Sequence, residues 1–441
     1  MAYGGAEKGG AVAVCALAML VGCGGGNSDS KPAASAGSAG MSSSGGGSSS
    51  AGSGSSSAGT GQVVGGPTTY STDYTCPTPA PLSGTKPALA VGTWLNITPP
   101  SANVGATANA TTFTNCIGVD PCDSNVIYTC TSGFTKDFQN VPAGVWKSTD
   151  AGGTWTKLAD GVIDSPAGMA IGPNGHIFVT DGVRGNTIGF WRSDDGGMTW
   201  AQPDSFQTLS KDPTISTSDV SSIAVEPKNF KHVIVGYHSG WTDHGTYTNH
   251  AGIIESTDAG DSWTIHPPES SWTAGSQGVS FLFDPDKSVG DANTWLVAMD
   301  GAGFWRTTNA GSSWTQVSTT TVGHGGNDVY YSSAGVLYAG ATDNILRSTD
   351  NGATFAPVSG NQAGGYYFTL IGDGTSMFAM ADFDNGSANP FISSPEGDGN
   401  TWTKFNSQTF TRGPFKMAFD ATNSIVYSAS WEAGLWALKT K

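Results

Sequence analysis

STDAGGTW, from Ser148 to Trp155, is the stretch that decides how the rest of this chain is interpreted. It combines a hydroxyl residue, an acidic residue, glycines and a closing tryptophan within one short segment. Similar stretches return at intervals of roughly 40–60 residues, a period typical of repeat architectures. The five later copies are SDDGGMTW (Ser193–Trp200), STDAGDSW (Ser256–Trp263), TTNAGSSW (Thr307–Trp314), STDNGATF (Ser348–Phe355) and SSPEGDGNTW (Ser393–Trp402).

Each copy predicts the turn of a β-hairpin, because it joins an aromatic-rich run to a short polar and apolar run. The Asp carboxylate accepts hydrogen bonds from backbone N–H groups of the turn. Glycine supplies the positive φ, and the closing aromatic ring supplies apolar area. Asn309 keeps the acceptor without the charge, and Phe355 keeps the bulk without the indole N–H. We therefore expect these repeats to be structural.

The six copies resemble Asp-boxes, also called BNR repeats. Asp-boxes occur in sialidases, in xyloglucanase-type glycosidases, in sortilin-like receptors and in photosystem assembly-factor propellers. The resemblance implies a β-propeller in which the boxes are structural, and it leaves the ligand open.

Repeats of this length with about four strands each predict an all-β fold, a single seven-bladed β-propeller over residues 85–441. Six or eight blades are the alternatives. The last blade lacks an outer strand before the chain ends, but GTWLNI (Gly92–Ile97) matches GTWTKL (Gly153–Leu158). We expect this N-terminal strand to close blade 7, which would remove an exposed sheet edge.

The N-terminal part predicts export. Lys8 precedes the short apolar run Ala11–Val21, which is typical of a signal peptide over residues 1–22. The sequence LVGC (Leu20–Cys23) resembles a bacterial lipobox, which implies lipidation of Cys23; an ordinary signal peptide is the alternative. Residues 23–84 are rich in Gly, Ser and Ala and predict a flexible linker. We expect a lipoprotein anchored to the outer membrane, with its propeller exposed at the cell surface.

Four further cysteines, Cys76, Cys116, Cys122 and Cys130, lie at one end of the exported part and predict two disulfides. Three pairings are open. Cys116 and Cys130 flank a predicted hairpin, which favours a bond between them and a second bond from Cys76 to Cys122. A zinc site is the rival, but no Cys-x2-Cys spacing supports it.

Ligand binding is expected at one mouth of the propeller, in the loops after the second strand of each blade and between blades. Carboxylates there accept hydrogen bonds from sugar hydroxyls, aromatic rings stack on sugar faces, and two carboxylates can hydrolyse a glycosidic bond. The structural alternative is that Asp after a strand is an ordinary turn former. The catalytic candidates are Asp181, Asp300, Asp382 and Glu432, and the substrate-binding candidates are His238, Trp241, Trp272, Tyr366, Trp431, Arg184 and Arg412.

The spacing His238-x5-His244-x5-His250 is the most unusual local feature of the chain. Three imidazoles in one loop suit a metal ion, but the spacing matches no known motif, so a solvated loop is preferred. We expect no metal and no other cofactor.

The named families can be tested on single residues. A sialidase needs an arginine triad, yet Arg192, Arg306 and Arg347 precede repeat turns on third strands, which leaves Arg184 and Arg412 for the mouth. Xyloglucanase-type enzymes place their catalytic pair between two propellers, and this chain predicts one. Photosystem assembly factors present an arginine patch that this chain lacks.

A formal net charge of −16 with only 19 Lys and Arg argues against nucleic acid and anionic membrane surfaces as partners. The membrane is expected only through the lipid anchor, and the protein is expected to be a monomer. Two hypotheses follow. One is a propeller that binds polysaccharide and whose candidate carboxylates would also let it act as a glycoside hydrolase. The other is a non-catalytic adhesion or assembly factor that binds an envelope protein, with binding favoured over hydrolysis.

Overall fold

The computed structural model describes most of the chain from residue 76 onward and a short piece before it. The described ranges are 62–63, 76–82, 84–105, 112–133, 143–159, 161–182, 189–209, 220–238, 240–241, 250–272, 277–282, 292–322, 328–360, 365–381, 389–405 and 408–441.

Seven antiparallel sheets follow one another around a ring, and the fold is a seven-bladed β-propeller, as predicted. Two strands precede the first blade, β1 (Gln62–Val63) and β2 (Trp94–Asn96). Blade 1 contains β3 (Thr112–Val119), β4 (Ile127–Gly133), β5 (Gly144–Ser148) and β6 (Thr156–Leu158). Blade 2 contains β7 (Pro166–Ile171), β8 (Ile177–Asp181), β9 (Gly189–Ser193) and β10 (Thr199–Trp200).

The next two blades have the same antiparallel order. Blade 3 contains β11 (Val220–Glu226), β12 (Asn229–Tyr237), β13 (Ile253–Ser256) and β14 (Thr264–His266). Blade 4 contains β15 (Gln277–Phe281), β16 (Trp295–Met299), β17 (Gly303–Thr307) and β18 (Thr315–Ser318).

The last three blades complete the ring. Blade 5 contains β19 (Val329–Tyr331), β20 (Leu337–Ala341), β21 (Asn344–Ser348) and β22 (Ala356–Pro357). Blade 6 contains β23 (Leu370–Gly372), β24 (Ser376–Ala379), β25 (Ile392–Pro395) and β26 (Thr403–Lys404). Blade 7 contains β27 (Lys416–Asp420), β28 (Ile425–Ser430) and β29 (Gly434–Lys439).

Helix is scarce in the described ranges. One α-helix, α1 (Asp204–Leu209), follows β10, and short 3-10 helices lie at Pro100–Ala102, Pro173–Gly175 and Trp431–Ala433. None of the helices described is long and apolar enough to cross a lipid bilayer.

The N-terminal strand β2 closes blade 7, which confirms the sequence prediction. It pairs antiparallel with β29, with Trp94 opposite Leu438 and Asn96 opposite Trp436. Strand β1 lies inside the segment predicted to be a linker and pairs in parallel with β10 of blade 2.

The hydrophobic core is divided among the interfaces between neighbouring blades. Val145 of blade 1 shares a buried cluster with Val179 of blade 2, and the same kind of cluster recurs at each following pair of blades. The last cluster joins Tyr427 of blade 7 to Ile127 of blade 1, so the ring is closed by apolar packing as well as by β2. Burial of apolar surface between sheets is the main stabilising term of such a fold.

The repeat turns use their polar groups internally. Ser148 Oγ donates to Asp150 Oδ1 and accepts from Gly152 N, both at 2.8 Å. Thr154 donates from its backbone N to Asp150 Oδ1 and from its hydroxyl to Asp150 Oδ2. Burial opposes ionisation of Asp150, but these hydrogen bonds outweigh it and lower the pKa of the carboxyl.

All the repeat turns lie at one end of the blades, which we call the turn face. Successive antiparallel strands reverse direction, so the turn between strands three and four lies beside the turn between strands one and two. Backbone hydrogen bonds confirm this arrangement: Ala151 N donates to Asn125 O, Gly196 N to Gly175 O and Ala259 N to Lys231 O. The ends of the second strands and the starts of the first strands lie at the opposite end, the mouth face.

Basic residues just before the repeat turns connect neighbouring blades. Lys147 Nζ donates to Gly196 O of the next turn at 3.1 Å, and Arg306 Nε donates to Asn351 O at 3.0 Å. Arg192 Nη1 donates to Ala259 O at 2.9 Å and to Asp261 Oδ1 at 2.7 Å. Arg192 and Arg306 therefore belong to the turn face, as their position before the repeats predicted.

Two disulfides bind the N-terminal part of the propeller. Cys116 on β3 is joined to Cys130 on β4, with their Cα atoms 5.2 Å apart, and Cys76 is joined to Cys122, at 5.1 Å. These are the two pairs that the hairpin interpretation favoured. The second bond fixes Cys76 to the turn that follows β3 in blade 1.

Candidate functional site

A cavity of about 280 Å³ lies at the mouth face, between the inner strands of the blades. Blades 1, 2 and 3 contribute residues of β3, the start of β7 and β11, and the far side is built around Asp328, Phe415, Lys416 and Trp431. The cavity thus lies where the sequence predicted the ligand site, although most of its lining residues were not predicted.

Aromatic rings form one wall of the cavity. Phe113 stacks on Trp431, with ring centroids 3.9 Å apart and an interplanar angle of 18°. Phe415 packs against Trp431 at 5.1 Å, and Phe368 packs against Phe415 at 5.2 Å. Tyr366 stacks on Phe368 at 6.2 Å and is 37% exposed, so this series of rings extends from the cavity to the surface.

Two ion pairs lie beside the aromatic wall. Arg412 Nη1 lies 3.5 Å from Glu432 Oε2, and the guanidinium carbon lies 5.9 Å from the centroid of Trp431. Lys416 Nζ donates to Asp328 Oδ1 at the cavity itself. Both carboxylates are therefore neutralised by basic partners.

Polar side chains of blades 1, 2 and 3 form the opposite wall. Asn115 on β3 is buried, and its Nδ2 donates to Pro166 O at 2.6 Å and lies 3.1 Å from Ser132 Oγ. Asn115 Oδ1, Ser165 Oγ and Ser222 Oγ are buried and have no hydrogen-bond partner within the described residues. All three residues line the cavity.

Sequence reasoning missed this polar wall because its residues lie in or beside first strands, not in the mouth loops. One signal was available: Asn is depleted in strands, and Asn115 lies inside an otherwise buried one.

Four of the predicted binding residues lie at this mouth. His238 and Trp431 line the cavity, Arg412 lies over Trp431, and Tyr366 is exposed at the outer end of the aromatic wall. They come from blades 3, 5, 6 and 7, so only the closed ring brings them together.

Two predicted sugar platforms were wrong. Trp241 and Trp272 are fully buried. Trp241 packs edge-on against Tyr237 at 5.5 Å, and Trp272 packs edge-on against Trp314 at 5.3 Å. Each ring fills the hydrophobic core beside its own blade, so neither face is available to a ligand.

Two predicted catalytic carboxylates, Asp181 and Asp300, lie outside the cavity lining. Asp181 is fully buried, and its Oδ1 accepts from Ser165 N at 2.9 Å, so it fixes the backbone at the start of blade 2. Asp300 follows β16 in a bridge with Val322 and is absent from the cavity lining. Asp181 thus has the structural role that Asp after a strand commonly has.

The remaining predicted residues are not described. Asp382, Arg184, Cys23 and His244 lie outside the described residues. Within the described ranges no three His, Cys, Asp or Glu side chains come close enough together to hold a metal ion.

Known proteins resemble the chain in sequence and in structure, although no protein-family model matches it. The xyloglucanase of Hypocrea jecorina is 24% identical over an alignment of 276 residues that covers 55% of this chain and 32% of that protein. A xyloglucanase of a Paenibacillus species is 25% identical over an alignment of 282 residues that covers 55% of this chain and 26% of that protein. The chain thus spans about a third or less of the curated relatives it matches.

Solved structures give the same architecture. A xyloglucanase of Xanthomonas campestris has a TM-score of 0.53 at 14% identity, covering 78% of this chain and 53% of that one. The chain is a seven-bladed β-propeller that is similar in sequence to parts of two xyloglucanases. YCF48 bound to D1 peptide has a TM-score of 0.51 at 14% identity, covering 81% of this chain and 99% of that one. At these identities the two solved structures establish the fold alone.

Proposed function

We propose that this propeller binds carbohydrate at the mouth face. The observation that carries the proposal is the cavity itself, which has aromatic rings on one wall and buried hydrogen-bonding groups on the other. A sugar has the matching chemistry, since its C–H faces pack on aromatic rings and its hydroxyls both donate and accept hydrogen bonds.

The curated relatives suggest which polysaccharide to test first. The Hypocrea and Paenibacillus proteins are named as xyloglucanases, and each aligns with 55% of this chain. We therefore propose xyloglucan as the first ligand to test, with other neutral plant and microbial polysaccharides beside it.

We place binding ahead of hydrolysis. Glycosidases use two carboxylates that flank the scissile bond, one of them protonated at working pH. At this mouth Asp328 is held by Lys416 and Glu432 by Arg412, and Asp181 is buried under the backbone of blade 2. These carboxylates are therefore engaged in structural contacts.

The cellular setting is part of the proposal. We propose that the repeat turns are Asp-boxes, because the hydrogen bonds around Asp150 recur around Asp195, Asp258 and Asp350. We also propose export and lipidation at Cys23, from the lipobox resemblance. Metabolic labelling with a fatty acid tests the anchor: label in the wild type and none in Cys23→Ser is expected, whereas equal labelling would contradict it.

The test is a panel of soluble polysaccharides, led by xyloglucan, assayed in parallel for binding and for released reducing sugar. We expect saturable binding that Trp431→Ala weakens at least tenfold, because the Trp431 ring stacks on Phe113 and contacts the guanidinium of Arg412. Met198→Ala is the matched control, because Met198 is 61% exposed on a repeat turn. Undiminished binding by a folded Trp431→Ala variant would contradict the proposed site.

A protein partner is the second candidate. Two exposed apolar side chains lie away from the cavity, Leu95 on the strand that closes blade 7 and Val91 just before that strand. If no polysaccharide binds to folded protein, and Leu95→Asp abolishes retention of the native envelope partner in a cross-linking assay, this candidate replaces the first.

A further inference from the structure

The polar wall of the cavity contains three hydrogen-bonding atoms that have no partner in the part of the chain that the structure describes. Asn115 Oδ1, Ser165 Oγ and Ser222 Oγ come from three consecutive blades and line one cavity. Asn115 is 5% exposed and Ser165 is 1% exposed. A buried polar group without a partner costs free energy, so such a group in a native cavity indicates something that binds there.

The orientation of Asn115 defines what it needs. Its Nδ2 donates to Pro166 O at 2.6 Å, and the hydroxyl of Ser132 donates to the same carbonyl, also at 2.6 Å. A rotated amide would direct Oδ1 at this carbonyl and lose the bond, so the amide is fixed with Oδ1 as a pure acceptor. The ligand must therefore present a donor to Asn115, while the two serine hydroxyls can donate or accept.

Charge disfavours an acidic ligand. Lys416 and His238 are the basic side chains among the described residues that line the cavity, and Lys416 is already paired with Asp328. The formal net charge of the whole chain is −16, which repels anions. A neutral ligand meets no such penalty.

The size of the cavity limits the ligand further. About 280 Å³ lies just under the roughly 300–1,000 Å³ of pockets that enclose drug-sized molecules. One sugar ring fits this space better than an oligosaccharide. The aromatic wall with Phe113 and Trp431 would then face the ring, and the polar wall would face its hydroxyls.

We propose that this central cavity is a subsite for a single neutral, hydroxyl-rich sugar unit, with Asn115, Ser165 and Ser222 as its hydrogen-bonding partners. The subsite rests on the proposed carbohydrate function and adds the unit size and the preference for neutral sugars. Ser222 is the residue to substitute, because its hydroxyl has no hydrogen-bond partner in the described ranges that the substitution would remove.

The experiment is a titration of the folded propeller with D-glucose, D-galactose, D-xylose and D-glucuronate, followed by saturation-transfer NMR. We expect at least one neutral sugar to bind saturably, and D-glucuronate to bind at least about tenfold more weakly. Ser222→Ala should weaken binding about threefold to tenfold, the equivalent of one neutral hydrogen bond. Ala167→Leu should abolish binding, because Ala167 lines the cavity and the larger side chain fills it.

Ser428→Ala is the matched control, since Ser428 is buried in blade 7 and its hydroxyl bonds to Ser430, outside the cavity lining. Equal or tighter binding of D-glucuronate would overturn the neutral preference. Polysaccharide binding without any monosaccharide signal, or a crystal soaked in sugar that shows ordered water only in the cavity, would overturn the subsite and leave the proposed function standing. If neither monosaccharide nor polysaccharide binds, both proposals are wrong.

Discussion

The turn face and the mouth face of this propeller use the same kinds of residue in opposite ways. On the turn face, Asp150 accepts from Ser148 and Thr154, so the carboxylate and the hydroxyls of this repeat are used within the repeat. On the mouth face, Asn115 Oδ1 and Ser222 Oγ are buried and have no partner among the described residues. The difference shows that the repeated residues build the ring, and that residues outside the repeat form its candidate site.

The same difference separates the aromatic residues. Trp272 packs on Trp314 inside the core, whereas Tyr366 and Trp431 belong to a series of rings that reaches the surface. A tryptophan in a loop segment was therefore a poor sign of a sugar platform. Its environment in the closed ring decides its role.

The largest loss of stability is expected at Trp272, a predicted sugar platform that lies in the hydrophobic core. Trp272→Ala should lower the free energy of unfolding by about 3–5 kcal/mol, the usual cost of removing a large buried aromatic ring. Urea unfolding measures it. Tyr366→Ala is the control and should change stability by less than about 1 kcal/mol, because its ring is 37% exposed. Similar losses from both variants would remove the distinction between core and mouth rings.

The connection between blades 2 and 3 gives the next largest effect. Arg192→Met should lower the free energy of unfolding by about 2–3 kcal/mol, because it leaves Ala259 O and Asp261 without their charged donor. Arg306→Met, which removes a single bond to Asn351 O, should cost less. Thermal unfolding of both variants checks the order, and a larger loss for Arg306→Met would contradict it.

A buried network in blade 3 predicts a pH-dependent stability. His232 contacts Glu226 at 2.9 Å and Glu255 at 2.7 Å, and His266 contacts Glu255 at 3.0 Å. Burial opposes ionisation of Glu255, but the hydrogen bonds from His232 and His266 outweigh it and lower the pKa of Glu255 from 4.5 to about 2. Burial also opposes protonation of His232, but its bonds to Glu255 and Glu226 outweigh this and raise the pKa of His232 above 6.5.

Glu255 therefore contributes stability above pH 4.5 that is lost as the pH falls towards 2. His232 contributes stability below pH 6.5 that is lost as the pH rises through its raised pKa. Between pH 4.5 and 6.5 the free energy of unfolding of wild type should exceed that of Glu255→Gln by on the order of 2 kcal/mol. This difference should become smaller at lower and at higher pH. Urea unfolding at a series of pH values measures it, and a gap independent of pH would show that the network does not titrate as described.

The smallest effect concerns a single repeat turn. Asp258→Ala should cost about 1 kcal/mol, because Ser262 N and the hydroxyls of Ser256 and Ser262 lose their acceptor. Asp258→Asn should cost less, since Asn309 makes the corresponding bonds to Thr307 and Ser313 in blade 4. Equal losses from both variants would mean that the charge, not the acceptor geometry, stabilises the turn.

The architecture was predictable because its signals are local and repeated. The repeat from Ser148 to Trp155 predicted the hairpin turn, and the spacing between repeats predicted the blades. The segment GTWLNI at Gly92–Ile97 predicted the closing strand β2. The hairpin logic also favoured the observed pair of Cys116 with Cys130.

The site was less predictable because distant segments build it. Trp431 lines the cavity, and its stacking on Phe113 joins residues more than three hundred positions apart along the chain. Asp181 was a catalytic candidate for the mouth, with a structural role as the alternative, and its partner Ser165 N becomes visible only once β7 and β8 are paired. Asn115 is a single residue in a buried strand, and nothing in its neighbours indicates an unused acceptor.

The most direct test measures polysaccharide binding by wild type, Trp431→Ala and Asp258→Ala under conditions where all three are folded. If the mouth binds the ligand and the repeat turns are scaffold, Trp431→Ala should lose at least tenfold in affinity for the polysaccharide while Asp258→Ala binds like wild type. Loss of binding by Asp258→Ala together with full binding by Trp431→Ala would contradict the account.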